Sequence, residues 1–331
     1  VLLSLAFFAT LSGGIHNQAV AHEAASDADF NAGEMIMHHI VDSHVWHLWD
    51  GHYGTIYLPI IVYSSERGLD VFSSANFYDE HHNLVPYDGY VLEHEHIAFQ
   101  NGEGHVWDFS ITKNVAALLV NSLIMILIFL AVARGYKKNA GKAPSGIQSF
   151  FEPIIVFIRD EVVKPNIGKG YEKYMPYLLT LFFFIWFSNL IGLMPGSANL
   201  TGNIAVTLVL AVFTFIIVNF SGNKNYWTHI FWTPGVPLPL RIIIFPVEVI
   251  GIFTKPISLM IRLFVAISAG HIVLLSLIGL TFIFSSWMVG FGSTIILLFI
   301  NLIELLVATI QAYVFTMFTS LYIGMATEDH H

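Results

Sequence analysis

Ile242 to Phe284 reads IIIFPVEVIGIFTKPISLMIRLFVAISAGHIVLLSLIGLTFIF, with Glu248, Lys255 and Arg262 as its only charged residues. As a helix rising about 1.5 Å per residue it would measure roughly 65 Å. The hydrocarbon core of a bilayer is only about 30 Å thick. The stretch therefore predicts a membrane helix that either tilts steeply or breaks at Pro256. A second over-length segment, Phe291 to Met325, carries Glu304 as its single charge. Two such segments in succession predict a long, tilted hairpin at the end of the chain.

Upstream, Val115–Ala133, Tyr177–Met194 and Asn203–Phe220 are further apolar runs, each able to span a bilayer or nearly so. Arg134, Lys137, Lys138 and Lys142 follow the first run at once, which marks that end as cytoplasmic. Alternation of the spans then puts the Trp- and Pro-rich loop between Lys224 and Arg241 on the cytoplasmic side, together with the C-terminus, Glu328 to His331. Pro195-Gly196 turns the chain on the outer side. Ile147–Lys164 is amphipathic and charged, suiting a helix on the cytoplasmic face. No internal repeat is obvious, which weighs against an inverted-repeat transporter.

The whole sequence agrees with this reading. Of 331 residues 55% are apolar and 11% charged, against roughly 25% charged in an average soluble domain. That balance excludes a soluble globular enzyme and a disordered chain. A net charge of −9 argues against nucleic acid as a partner. The absence of cysteine rules out disulfides, Cys-based zinc sites and thiol nucleophiles. The charge is also unevenly placed: residues 1–113 sum to −13 and residues 114–331 to +4. Twelve of the 16 histidines precede residue 114.

Three regions follow from this division. Residues 1–21, with an apolar run to Leu11 and Ala19-Val20-Ala21 before His22-Glu23, read as the remnant of a secretory signal peptide. Residues 22–112 read as an acidic, His-rich, small and mostly β domain outside the membrane. Its strand signals are Thr55–Tyr63 (TIYLPIIVY) and Tyr90–Phe99. Residues 113–331 form the membrane region. The fold class expected is an all-α polytopic membrane protein of about five membrane helices, with a small β domain at its N-terminus.

Few ionisable groups fall inside the apolar segments, and such groups are costly there. Arg262 keeps its charge under all relevant conditions. Glu248 lies 14 residues before it, about 21 Å along the axis and on nearly the same face, with Lys255 midway. His271 suits a proton relay, although a lone histidine is more often a hydrogen-bonded core residue. Glu304 needs a partner or a water-filled pocket, and Gln311 lies two turns on along the same face. Ser268, Ala269 and Gly270 are small enough to let another helix approach. In a hairpin, His271 and Glu304 would be neighbours. Together these residues suggest a proton pathway interrupted by a fixed positive charge.

Lys255-Pro256-Ile257-Ser258-Leu259-Met260-Ile261-Arg262-Leu263-Phe264, followed by Ala269-Gly270-His271, resembles the signature of subunit a of F-type ATP synthases. Ser188-Asn189-Leu190-Ile191-Gly192-Leu193-Met194-Pro195, Asn203 to Leu208, Pro246-Val247-Glu248, and Glu304 through Gln311-Ala312-Tyr313 extend the likeness from about residue 113 to the end. The resemblance implies a membrane stator beside a rotating ring of c subunits, held by b-type peripheral stalk subunits. It further implies a channel subunit in a bacterial inner membrane, with its N-terminal domain periplasmic and its C-terminus cytoplasmic, with no cofactor, and with the catalysis of ATP synthesis in other subunits. The essential arginine maps onto Arg262, whose charge would favour deprotonation of an arriving ring carboxylate and block a direct leak. Glu248 matches an acidic position on the outlet side. His271 and Glu304 match the inlet pair, in the order opposite to that of many bacterial members, and Gln311 matches a glutamine near the arginine. Val265-Ala266 depart from the family's usual Gly-Asn.

The alternative is a cation or metal transporter that captures its ion on the outer histidines. His44-x-x-His47, His94-x-His96, His38-His39 and His81-His82 have plausible ligand spacings. A solvated, proton-buffering surface is the favoured reading of these histidines, with no bound metal.

Overall fold

Seven short strands and eight α-helices account for most of the residues described in the computed structural model, namely 42–47, 54–79, 83–93, 95–102, 104–139, 141–194, 197–232, 237–284 and 287–328. The expected signal-peptide remnant, the Pro195-Gly196 turn, and His38, His39, His81, His82 and His94 lie outside these residues. The chain divides into two compact units. One holds the described residues up to Leu119 with Ile191–Asn199 and Ile272–Leu302; the other holds Val120–Leu190, Leu200–His271 and Ile303 onward.

In the first unit, TIYLPIIVY forms two strands rather than one: β2 (Thr55–Tyr57) and β3 (Pro59–Ser64). Proline has no N–H to give a ladder, and at Pro59 the chain changes partners. β2 pairs antiparallel with β1 (Val45–His47). β3 lies between β4 (Gly68–Ser73) and β7 (Val106–Asp108), with Val62 opposite both Asp70 and Asp108. Tyr90–Phe99 likewise forms a hairpin, β5 (Tyr90–Glu93) against β6 (His96–Phe99). Strand side chains alternate between faces, so Ile60 and Val62 turn inward onto Phe77, Tyr90, Leu92 and Ile97. Tyr90 is fully buried, and its hydroxyl donates to Asp70 Oδ2 at 2.7 Å.

His44 anchors this small domain. It is buried, with Nε2 3.2 Å from Asp108 Oδ2 and Nδ1 3.7 Å from Glu95 Oε2. Burial works against the imidazolium, but hydrogen bonding to Asp108 and Glu95 and their charges outweigh it and raise the pKa to about 9. Burial likewise works against the Asp108 carboxylate, yet bonds from His44 and Ser110 and the His44 charge bring its pKa down to about 2. The signs fix a window. The His44 contribution is complete below the unfolded value near 6.5 and is lost as pH rises towards 9. The Asp108 contribution is complete above the ordinary carboxylate range and is lost as pH falls towards 2. We expect proteolysis of the β domain in the solubilised chain to be slowest near pH 5–6. It should accelerate by pH 9.5, reflecting a loss on the order of 2 kcal/mol, and His44→Gln should flatten that alkaline arm. An arm unchanged in the variant would refute this account.

The β-rich region is joined to the start of α1 (Lys113–Lys138) by bonds from that helix's first backbone N–H groups. The first N–H groups of a helix lack internal partners. Here Lys113 N donates to Ser43 O at 2.8 Å and Asn114 N to Asp42 Oδ1 at 3.0 Å.

In the second unit, α2 (Ile147–Phe157) runs through a π-helical turn, Ile158–Val163, into α3 (Lys164–Ile167). The carbonyl of Val162 in that turn accepts from Asn166 Nδ2 at 2.8 Å and Ser320 Oγ at 3.3 Å. Next come α4 (Met175–Gly192), α5 (Ile204–Ser221) and α6 (Lys224–Phe231). The last of these lies within the stretch expected to be a loop. The two longest helices, α7 (Leu238–Phe284) and α8 (Trp287–Thr327), complete the chain.

α7 is unbroken at Pro246 and Pro256, which removes the broken-helix alternative. Proline is tolerated in membrane helices because neighbouring groups can satisfy the carbonyl it leaves free. At roughly 70 Å and 60 Å, α7 and α8 are each about twice the hydrocarbon thickness. They fit only at a steep tilt if their apolar length is to stay out of water. Among the described residues five helices are long and apolar enough to cross a membrane. The buried side of the second unit centres on Ile158, Val162, Phe183, Leu259, Leu263 and Ile323. At Gly324 a side chain is impossible without movement, since a Cβ would stand 2.0 Å from the Asn166 carbonyl oxygen.

Candidate functional site

α7 and α8 run antiparallel in a fixed register. Lys255 Nζ lies over the Tyr322 ring, 5.6 Å from its centroid, and Arg262 Cζ over Phe318 at 4.4 Å. Gly270 faces Glu304. Each step up one helix is matched by a step down the other, as a hairpin requires.

Arg262 stands at a boundary. Leu259 and Leu263 beside it are buried, whereas Ile257, Ile261 and Val265 are exposed. Its Nη1 is buried and has no hydrogen-bond acceptor among the described residues. A guanidinium carries five donors, and an unmet buried donor is costly.

Glu304 is only 4% exposed, and among the described residues neither carboxylate oxygen has a hydrogen-bond partner. Its room depends on Gly270, where a Cβ would lie 2.9 Å from Glu304 Oε1. His271 is the next residue on α7 and is half-buried. The hairpin thus brings Glu304 beside the chain position next to His271, without a hydrogen bond from the imidazole to the carboxylate. α8 is held here by α4: Asn189 Nδ2 donates to Ala308 O at 2.9 Å, Thr201 Oγ1 to Asn189 Oδ1 at 2.6 Å, and Trp186 Nε1 to Thr309 Oγ1 at 3.1 Å.

Glu248 is half-buried on α7, within electrostatic reach of Lys255 and of Tyr226 on α6. Burial first, and then the Glu248 charge, pushes the Tyr226 phenol up. A cavity of about 10 Å³ opens here, lined by Tyr226, Lys255, Pro256 and Tyr322 among others. Gln311 is half-buried on α8, between Glu304 and Phe318.

Glu248, Lys255 and Arg262 are spaced by sevens, and so are Glu304, Gln311 and Phe318. The first series was visible in the sequence. In the second, Phe318 lies one heptad beyond Gln311 and carries no charge to mark it. Tyr322 and Tyr226 had no comparable signal. Among the described residues, no group of three His, Asp or Glu side chains is arranged to hold a metal ion.

The chain matches the family described as ATP synthase A chain over residues 116–324, and a domain of unknown function (DUF8433) over residues 35–118. It is 39% identical to the ATP synthase subunit a of Chlorobium phaeobacteroides, across 99% of this chain and 85% of that protein. It is 41% identical to ATP synthase subunit a 2 of Chlorobaculum tepidum, across 96% of this chain and 79% of the relative. With the ATP synthase subunit a of an Anaeromyxobacter species the identity is 37%, across 93% and 73%. A match that spans the helices carrying Glu248, Arg262 and Glu304, at such identity and coverage, means that this chain belongs to the ATP synthase A chain family.

Proposed function

We propose that the protein is the proton-translocating stator subunit in the membrane sector of a bacterial F-type ATP synthase, with residues 113–331 as the membrane domain and residues 22–112 as a periplasmic domain. The observation that carries the reading is the α7–α8 pair. On α7 Arg262 stands between Glu248 and Gly270, the residue that packs against the buried carboxyl of Glu304 on α8; the reading takes the Glu248 end as cytoplasmic and the Glu304 end as outer. The partners are the c ring, whose carboxylates pass the exposed face beside Arg262, and b-type stalk subunits. ATP synthesis itself belongs to other subunits.

In this mechanism a proton enters from the periplasmic side through the region of His271 and Glu304. It transfers to a ring carboxylate, travels round with the ring, and leaves past Glu248 towards the cytoplasm. Arg262 acts on the carboxylate as it arrives. An opposite charge within a few ångströms favours the ionised form, and in a low-dielectric setting that effect is strong. The same charge repels a proton moving straight from inlet to outlet. Gln311, one heptad from Phe318, stands between the inlet and the arginine.

The cation-transporter reading makes the opposite forecast for the chain alone. Reconstituted by itself in liposomes under an imposed potential, the chain is expected to conduct no protons above the lipid background. Co-reconstituted with its c ring and stalk subunits, it is expected to conduct readily. A pH-sensitive dye inside the liposomes measures both. Flux of protons or a metal ion through the isolated chain would overturn the stator reading.

A further inference from the structure

Arg262 is held from one side by a residue that nothing above gives a role. The guanidinium lies on the face of Phe318 at 4.4 Å from the ring centroid, well within the range in which a cation is drawn to an aromatic face. Phe318 itself is half-buried, and its ring is tilted by 38° to that of Tyr322, whose centroid is 6.0 Å away. Tyr322 in turn lies beneath Lys255. The two cations of α7, seven residues apart, therefore each meet an aromatic of α8, and these are four residues apart. Two such pairings in succession make this stretch of α8 an aromatic surface for the cations of α7.

We infer that Phe318 is a positioning residue for Arg262: its ring face fixes the guanidinium plane and keeps solvent off that side. The inference rests on the proposed role of Arg262. An aromatic face attracts the cation without accepting its N–H bonds in the plane. The donors that are not buried are thus left for the acceptor that approaches along the exposed side. A carboxylate or phenolate in place of Phe318 would hold the arginine as firmly, but would occupy those donors and neutralise the charge. A leucine would fill similar space without any preference for a cation. The chemistry that the Phe318 site serves is thus a transient carboxylate partner for Arg262.

The test compares Phe318→Leu, Phe318→Tyr and Arg262→Ala in the assembled complex. Two rates are measured in membrane vesicles: ATP-driven proton pumping, and the passive proton leak after the soluble sector has been stripped. Co-purifying b and c subunits report assembly. Phe318→Leu is expected to pump roughly three- to tenfold more slowly while its passive leak is unchanged or raised. Phe318→Tyr, which keeps the ring face, is expected to pump within about twofold of the native chain. A purely structural defect would lower pumping, leak and assembly together in both variants, and that result overturns the inference. So does a Phe318→Leu chain that pumps at the native rate while Arg262→Ala does not. If Arg262→Ala also pumps normally, it is the reading of Arg262 that fails.

Discussion

Arg262→Ala is expected to abolish ATP-driven proton pumping in inverted vesicles, by at least a hundredfold, while the complex still assembles. A hundredfold corresponds to about 2.7 kcal/mol of lost stabilisation of the rate-limiting state. That is modest for a full charge in a medium of low effective dielectric. Assembly survives because Arg262 does little for the fold. Its Nη1 has no acceptor, and among its described contacts the Phe318 ring is the one that holds the charged end. Removing a buried donor that is unmatched relieves a cost instead of creating one. The passive leak is expected to persist or rise, because the barrier between inlet and outlet has gone. Pumping at the native rate by the alanine variant would sink the proposed mechanism.

The second large effect is expected at Glu304. Glu304→Gln keeps the shape of the side chain and stays polar but cannot take up and release a proton. It is expected to lower pumping at least tenfold. His271→Glu alone and Glu304→His alone are each expected to be impaired as well. Combining them restores one acid and one base across the same gap, and the double variant is expected to recover more activity than either single. The basis is positional: Glu304 packs against Gly270, the residue before His271, and its oxygens have no other partner. Residues acting as a unit are non-additive in this way. A double variant worse than both singles would refute the pairing. Should the singles pump normally, the inlet lies elsewhere.

The membrane region was legible in the sequence because water and lipid impose such different costs on charge. The long empty stretch around Arg262 can be only a membrane helix, and its few ionisable groups stand out for the same reason. Whether Pro256 breaks that helix was not legible. The outcome depends on what satisfies a single carbonyl, and that is a property of neighbours rather than of the segment. Composition also concealed α6, a helix of eight residues inside a Trp- and Pro-rich connection. In the β domain, β-branched content located the strands around Thr55–Tyr63 but not their division at Pro59, since the division reflects a change of partner strand.

The candidate site was partly legible on the same grounds. Arg262, Glu248 and Glu304 are rare residues in apolar surroundings, so rarity alone finds them. Phe318 is one of 28 phenylalanines and cannot be found that way. Its significance is that a guanidinium lies over it, which only packing reveals. Asn189 presents an intermediate case. It lies in a stretch that bears on family membership, but its bonds to Ala308 and Thr201 show that it fastens α8 to its surroundings.

The seven-residue spacing of Glu248, Lys255 and Arg262 has a geometric consequence. An α-helix does not repeat in seven residues; it falls short of two full turns by about 20° per heptad. Along a straight α7 the three groups therefore drift by about 40° between Glu248 and Arg262, which at side-chain radius is a sideways step of roughly 4 Å. The charges follow a shallow thread, like that of a lead screw, rather than a ruled line. On the proposed reading, a rotor that met Arg262 head-on would pass Glu248 on its flank. The thread gives the two charges different bearings as well as different depths, so a group rolling past would meet them in succession and not together.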